Sequence, residues 1–332
     1  TVPCDYSVST LRDLIPFDIW RIFPLGAVPK PLEPDEARPV SDHTKSGTND
    51  ATDDPRLNHT LTAVDDVSRE FKFGYSMVVG DVDAAYPLLP IAWWLWPLFM
   101  FVWFDIALSD ESPVLVLYMH ITGDFGTRGF PGTLKIFFTD VVVNMARSES
   151  VITLPMPVYV DDLALIGKVR RMLEAEWQSF KDFLRALGIF MKELKEKAAS
   201  ALQLMLGFWW DSLSRTRTLE TRKLESYLLM FREFSERKVL SLTERQKVAG
   251  RGQRAVMTLP PGASCLLATI YLMMAGLTLG HQKRRTTRME RESYDLLHRL
   301  LSANLGRGFF SYDQFDRAPA VYTDASKSRR YA

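Results

Sequence analysis

The sequence predicts an α+β fold, and three observations carry that expectation. Residues 76–82 (SMVVGDV) form a short apolar run ending in acid, which suits a buried strand. Residues 158–167 place two apolar arms on either side of Asp161-Asp162, a hairpin pattern with the acidic pair near its tip. Leu173, Trp177, Phe180, Leu184 and Leu187 fall on one helical stripe, and Gly188 is a natural stop. Beyond Thr221 the chain reads as largely helical, with Leu224, Leu228 and Phe231 on one face and a break at Pro260-Pro261-Gly262.

The remaining elements follow from local pattern. Residues 24–60 are rich in Pro, Asp, Thr and Asn and predict an extended, loop-rich lobe. Residues 84–104 carry no charge and are long enough on paper to cross a bilayer. Pro87, Pro90 and Pro97 interrupt that stretch, and Trp93, Trp94, Trp96 and Trp103 lie within it rather than in belts at its ends. A buried strand-turn-helix unit is therefore expected there, with no membrane partner. After Pro131, Leu134, Phe137, Phe138, Val141, Val142 and Met145 recur at helical spacing, and Pro131-Gly132 stand at that helix's start. Residues 204–210 (LMLGFWW) read as another strand.

Composition sets outer limits. The 332 residues are 47% hydrophobic and 24% charged, enough to bury a substantial core and too apolar for a disordered chain. Cys4 and Cys265 lie far apart, so neither a disulfide framework nor a cysteine-rich zinc site follows. A reducing compartment, cytoplasm or nucleus, is the expectation. A net charge of +1 argues against a wholly basic coat protein but leaves room for a locally basic groove. The opening Thr-Val-Pro-Cys-Asp has no Met, basic region or apolar segment of a secretory signal, and reads as an internal piece of a longer chain.

The acids carry the chemistry. Asp81 ends one apolar run, and Asp161-Asp162 follow 80 residues later in the hairpin. Carboxylates are costly to crowd at the edge of an apolar core unless they share a cation. Oxygen ligands of this kind suit Mg²⁺ or Mn²⁺ rather than zinc. Two such ions about 3.5–4 Å apart can serve phosphoryl transfer by acting on the attacking and leaving oxygens. An isolated Asp-Asp pair would by itself be only a polar turn.

The motifs around these acids resemble those of reverse transcriptases. Tyr159-Val160-Asp161-Asp162 resembles the YxDD box, and Asp81 followed five residues later by Tyr86 resembles the first catalytic motif. Arg38-Pro-Val-Ser-Asp42, continuing to Asn49, is similar to a fingers motif, and Phe125-Gly126-x-x-Gly129-x-Pro131 to the motif before the template-side helix. Leu187-Gly188, then Lys195, then Leu206-Gly207 resembles the later palm motifs and the primer grip. The set covers roughly residues 25–210 in family order. Its variants most resemble retrotransposon enzymes of the DIRS-like, tyrosine-recombinase class, with Ty3-like elements second.

The resemblance implies a right-hand polymerase with an antiparallel-sheet palm, loop-rich fingers and a helical thumb. It places the fingers' N-terminal part at 1–75 and the palm at 76–215, with a fingers insertion around 95–130. The thumb or connection would be 216–315, and the start of a ribonuclease H domain 316–332. By resemblance Asp81, the Val82 carbonyl, Asp161 and the more peripheral Asp162 would hold two Mg²⁺ or Mn²⁺. Asp83 competes with Asp81, since alternate positions of a strand share a face, but only Asp81 has the family's spacing to Tyr86. Tyr86 would stack under the incoming sugar and exclude a 2′-hydroxyl.

Arg38 and Lys30 would hold the triphosphate, one as a fork and one as a mobile point charge. A solvated surface lysine is an equally good reading of Lys30. Lys195 falls where the family has a lysine near the departing pyrophosphate, with Lys192 and Lys197 as neighbours that confuse the assignment. Phe125 and Gly126 would pack near nucleotide and template, although Asp124 stands where a proline is usual, and Pro87 after the gate tyrosine is also unusual. Gly207 and Phe208 would meet the primer. Arg245, Lys247, Arg251 and Arg254, and then Lys283, Arg284, Arg285, Arg288 and Arg291, form two basic clusters that could grip a duplex backbone or simply be solvated faces. Asp324, in Val321-Tyr-Thr-Asp324-Ala-Ser326, resembles the first acid of ribonuclease H, but the further carboxylates of such a site are absent, so no such activity is expected of these residues.

The activity implied is RNA-directed DNA polymerisation from deoxynucleoside triphosphates on an RNA or DNA template-primer. Two rivals stand beside it. One is an RNA-copying or telomerase-like polymerase on the same palm, against which Tyr86 argues. The other is a catalytically decayed or domesticated relative that binds nucleic acid.

Overall fold

The computed structural model describes residues 2–3, 21–30, 33–51, 63–105 and 114–308. The elements in chain order are β1 (Val2–Pro3), β2 (Leu25–Lys30), β3 (Glu33–Ser41), α1 (Thr48–Ala51), α2 (Ala63–Glu70), β4 (Ser76–Asp81), β5 (Met100–Asp105), β6 (Val114–Met119), α3 (Phe130–Lys135) and α4 (Val143–Ser148). Then come β7 (Val158–Tyr159), β8 (Asp162–Gly167), α5 (Arg170–Ala186), β9 (Lys197–Ser200), β10 (Leu202–Met205), β11 (Phe208–Asp211), β12 (Thr216–Leu219), α6 (Thr221–Glu236), β13 (Val239–Ser241), α7 (Leu242–Val256), α8 (Leu266–Met274), β14 (Lys283–Arg285), α9 (Arg288–Ser302) and β15 (Arg307–Gly308). The chain divides into two units. The first comprises Thr1–Ala63, Val79–Leu165 and Glu174–Lys197; the second comprises Val64–Val78, Ile166–Leu173 and Ala198–Ala332.

The expected helices and antiparallel strands are present. β7 and β8 pair as Val158↔Leu163 and Tyr159↔Asp162, leaving Val160 and Asp161 as the two-residue turn. β8 and β4 are neighbours in a four-stranded sheet of order β7-β8-β4-β9. Their burial is nearly continuous, which explains why both read as unbroken apolar runs. On α5, Leu173, Trp177, Phe180 and Leu184 are buried as the stripe requires, but Leu187 lies past the helix end and is exposed. Gly188 takes a left-handed φ of 75° there.

Three local expectations are corrected, and the expected helix after Pro131 is present with one irregularity. Residues 25–41 form a two-stranded antiparallel ribbon rather than a loop-rich lobe, with a register shift at Pro29/Lys30. A two-stranded ribbon has only edges, where proline's missing N–H is tolerated. Residues 204–210 are not one strand but a hairpin, in which Met205 pairs with Phe208 around Leu206-Gly207. Both turn residues have positive φ, at 55° and 76°, the requirement of a tight primed turn. A leucine in that conformation is rare, so the apolar run hid the turn. The helix after Pro131 contains a π-helical segment, Ile136–Val142, between α3 and α4. The uncharged stretch 84–104 folds as two 3₁₀ turns, Tyr86–Leu88 and Trp93–Leu98, followed by β5. No helix among the described residues is long and apolar enough to cross a membrane.

In the first unit, β1, β6 and β5 form a sheet in that order. Phe23, Ile91 and Phe99 make a buried cluster packed by Leu25, Trp96, Leu98, Phe101 and Phe130. In the second, β10, β11, β12 and β15 form another sheet, and α9 packs on α6 and α8. Ser241 and Glu244 close a capping box at the start of α7. The ribonuclease H-like segment around Asp324 lies outside the described residues.

Candidate active site

The site grows from the end of β4. Asp81 closes that strand and is 5% exposed. The next amide, of Val82, donates to the Asp161 carbonyl over 2.9 Å, and the Lys192 amide donates to the Asp81 carbonyl over 2.8 Å. An antiparallel bridge between Val82 and Met191 continues the second of these links. Three stretches distant in sequence are thus tied together by backbone. Gly80 makes the packing beneath possible: a Cβ there would come 2.7 Å from the Trp177 ring and 2.5 Å from the Met191 methyl.

The side chains crowd negative charge. Burial and the neighbouring Asp81 push the Asp161 carboxyl up. Burial, Asp161 and Asp81 together push Asp162 up to about 6. Lys195, in a 3₁₀ turn (Glu193–Lys195), sets its ammonium on Asp81 Oδ2. Asp81 Oδ1 is buried with no hydrogen-bond partner. Asp83, the competitor, lies beyond the strand end, is exposed, and pairs with Lys192 at 3.6 Å. It is Asp81, not Asp83, whose charge bears on Asp161 and Asp162.

Beside them lies a cleft of about 450 Å³, with Val82, Tyr86, Phe125, Asp161, Lys192 and Lys195 in its wall. Burial, Asp161 and Tyr159 raise the Tyr86 phenol to about 12, so the ring is neutral. It packs against Phe125 in a T-shaped contact, 4.9 Å between centroids and 84° between planes. Two non-glycine residues here take left-handed backbone, Ala84 (φ 47°) and Val160 (φ 58°). Such strain, greatest for a β-branched residue, concentrates at functional sites.

The donor set fits a hard divalent cation. It offers carboxylates, one buried carboxylate oxygen is unpartnered, and mutual repulsion would be relieved by positive charge. Among the described residues no group of three or more His, Cys, Asp or Glu side chains already closes around a point, and Lys195 now occupies one face of Asp81.

The other expected residues are distributed as follows. Lys30 and Arg38 sit on the ribbon, paired across it with Glu33 and Val28; their side chains lie outside the described part. Phe208 is fully buried, so its ring is core rather than surface. Arg254 lies over that ring at 5.3 Å and donates to the Leu206 carbonyl at 2.5 Å, bracing the turn that contains Gly207. Arg251 lies over Tyr227 at 5.7 Å. Arg284 donates to the Met273 and Ala275 carbonyls at the end of α8, while Arg285 is exposed on β14. Arg245 is corrected: it is fully buried and bound to Glu290 at 2.9 Å, so it cannot belong to a phosphate-facing surface.

Sequence reasoning did not single out His43 and His120. His43 is fully buried, with Nε2 2.7 Å from Asp124 Oδ2, and His120 and Asp124 line the cleft. Burial pushes Asp124 up, but hydrogen bonds from His43, Ser41 and Thr127 outweigh it and hold the carboxyl below its usual range. The replacement of an expected proline by Asp124 was the available signal.

No protein-family model matches the chain, and no curated protein matches it in sequence. Solved structures do. The chain is similar to a foamy viral protease-reverse transcriptase in complex with double-stranded DNA, with a TM-score of 0.60 and 17% identity over 86% of this chain. It is similar to the foamy viral protease-reverse transcriptase in complex with an RNA/DNA hybrid, with a TM-score of 0.58 and 18% identity, again over 86%. It spans 44% and 34% of those two chains. This chain has a reverse-transcriptase-like fold of helices and antiparallel sheets.

Proposed function

We propose that this chain is the polymerase region of a retrotransposon reverse transcriptase, extending a primer from deoxynucleoside triphosphates on an RNA or DNA template. The observation that carries the reading is the junction of Asp81 with Asp161 and Asp162, with Asp161 and Tyr86 in the wall of one cleft. The similar foamy viral chains are held with double-stranded DNA and with an RNA/DNA hybrid, which supports a nucleic-acid partner. Fingers, palm and thumb are assigned as the sequence divides them, and the DIRS-like class is favoured.

In this reading the primer 3′-hydroxyl gives its proton to solvent, its oxygen bonds to the α-phosphorus while the bond from that phosphorus to the bridging oxygen of the β-phosphate breaks, and pyrophosphate leaves. Asp81, the Val82 carbonyl, Asp161 and Asp162 would hold two Mg²⁺ or Mn²⁺. When bound, the ions supply neutralisation of phosphate charge and a lower pKa for the attacking hydroxyl. Tyr86 and Phe125 form the apolar floor on which the sugar sits. Lys195 moves from Asp81 to the leaving pyrophosphate and gives it a proton. Lys30 and Arg38 hold the β- and γ-phosphates; Arg251, Arg254, Arg284, Arg285 and the Gly207 turn belong to the nucleic-acid track. The protein's share is positioning and charge neutralisation.

A catalytically inactive, nucleic-acid-binding relative is the second reading, favoured by the lack of an already closed acidic cluster among the described residues. Primer extension with Mg²⁺ or Mn²⁺ separates the two. Asp161→Asn is expected to lower extension by at least about 100-fold with primer-template affinity nearly unchanged. No extension by the unmodified chain would leave only the second reading.

A further inference from the structure

The loop that carries Phe125 is gripped from both sides by one segment. The Ser41 amide donates to the Phe125 carbonyl at 2.9 Å. On the N-terminal side, Asp124 Oδ2 receives His43 Nε2 at 2.7 Å, and its other oxygen receives Thr127 Oγ1 at 2.8 Å. A carboxylate only accepts, so the His43 hydrogen is on Nε2. On the C-terminal side, Asn49 Nδ2 donates to the Gly126 carbonyl at 3.1 Å, and the Arg128 amide donates to Asn49 Oδ1 at 2.9 Å. Gly126 lies so close to the Ser41 carbonyl that any Cβ would overlap it.

The His43–Asp124 contact is the buried member of this set. His43 is wholly enclosed, tilted against Phe23 at 4.3 Å and T-shaped to Phe99 at 5.3 Å, and its Nδ1 has no hydrogen-bond partner. A bare buried nitrogen is unfavourable by itself, so the ring is held for what Nε2 does. What emerges from the clamp is Phe125, 41% exposed, in the wall of the cleft and T-shaped to Tyr86. Tyr86 has no other aromatic contact closer than Phe130, at 6.4 Å, among the described residues.

We infer that His43 and Asp124 are positioning residues that fix Phe125 against Tyr86, and so set how firmly the site rejects a ribose 2′-hydroxyl. The inference rests on the polymerase reading. A gate discriminates only if its ring cannot retreat, and Phe125 is the ring packed against it, 4.9 Å between centroids. Loosening the clamp would let Tyr86 shift, relaxing sugar selection more than it slows incorporation of the deoxynucleotide.

The test is single-nucleotide extension with dATP and with ATP, comparing kcat/KM for each. His43→Leu fills the space without the hydrogen bond and is expected to lower the preference for dATP by about tenfold or more, with kcat for dATP within about threefold. His43→Gln can keep the bond through Nε2 and is expected to stay within about threefold of the unmodified preference. Phe125→Ala should lower the preference as His43→Leu does, and the double variant should add little. A folded His43→Leu that slows dATP and ATP equally would overturn the inference as a merely structural effect. Should His43→Leu not fold, an unchanged preference in Phe125→Ala overturns it instead. Incorporation by the unmodified chain with either of those outcomes sinks only the clamp; no incorporation at all sinks the polymerase reading and the clamp with it.

Discussion

The amide of Val82 donates to the carbonyl of Asp161 over 2.9 Å. That bond ties the end of β4 to the turn of the β7–β8 hairpin and makes two acidic motifs, 80 residues apart in sequence, into one site. Its partners are backbone atoms, so the join does not depend on which side chains occupy either position.

The crowded acids make stability depend on pH. Asp162 has a folded-state pKa of about 6, above its ordinary value, and Asp161 is raised in the same direction. A raised carboxyl means that the folded chain binds more protons than the unfolded one. Stability from these groups is therefore present at low pH and is lost as pH rises from about 4 to about 6. With divalent cations chelated, Asp162→Asn should raise Tm relative to the unmodified chain at pH 7 and not at pH 4. Equal Tm differences at both pH values would contradict the electrostatic account.

Tyr86→Ala removes the ring that would meet a 2′-hydroxyl. Its expected outcome is ribonucleotide incorporation raised by at least about tenfold relative to deoxynucleotide. Unchanged sugar selectivity in primer extension would remove Tyr86 from the gate.

Gly126→Ala is expected to be disruptive at a solvent-facing loop where alanine is ordinarily harmless. Its φ of 131° is closed to a Cβ, and the methyl would enter the Ser41 carbonyl. The expected loss is about 2 kcal/mol or more, read by urea denaturation.

Arg245 and Glu290 are both fully buried, and Arg245 also donates to the Leu240 and Arg284 carbonyls. Glu290→Ala strands the guanidinium's charge and should destabilise by about 3–5 kcal/mol. Arg245→Met together with Glu290→Leu should recover much of that loss, because the pair's desolvation is then avoided. Equal losses in the single and double variants would show that packing, not charge, is at stake.

How much was legible in the sequence depended on whether a signal was local. β4, β8, α5 and the hairpin around Asp161 could be read because burial of one face imposes a period on the chain. The 206–207 turn could not, since Leu206 adopts a conformation its side chain disfavours and only Gly207 marked it. The ribbon at 25–41 was hidden by prolines that edges tolerate. Arg245 read as one more surface cation because nothing local reveals that Glu290, 45 residues away, will bury it.

By itself the sequence determined the kinds of groups available: three acids, a tyrosine at fixed spacing from the first, and the strand and helix patterns that carry them. Tertiary structure alone decided which basic residues stay at the surface, and that His43 would meet Asp124. The reason is physical. A carboxylate's neighbours, and so its charge state and its claim on a cation, depend on distances across the fold, whereas periodicity records only which side of its own element a residue occupies.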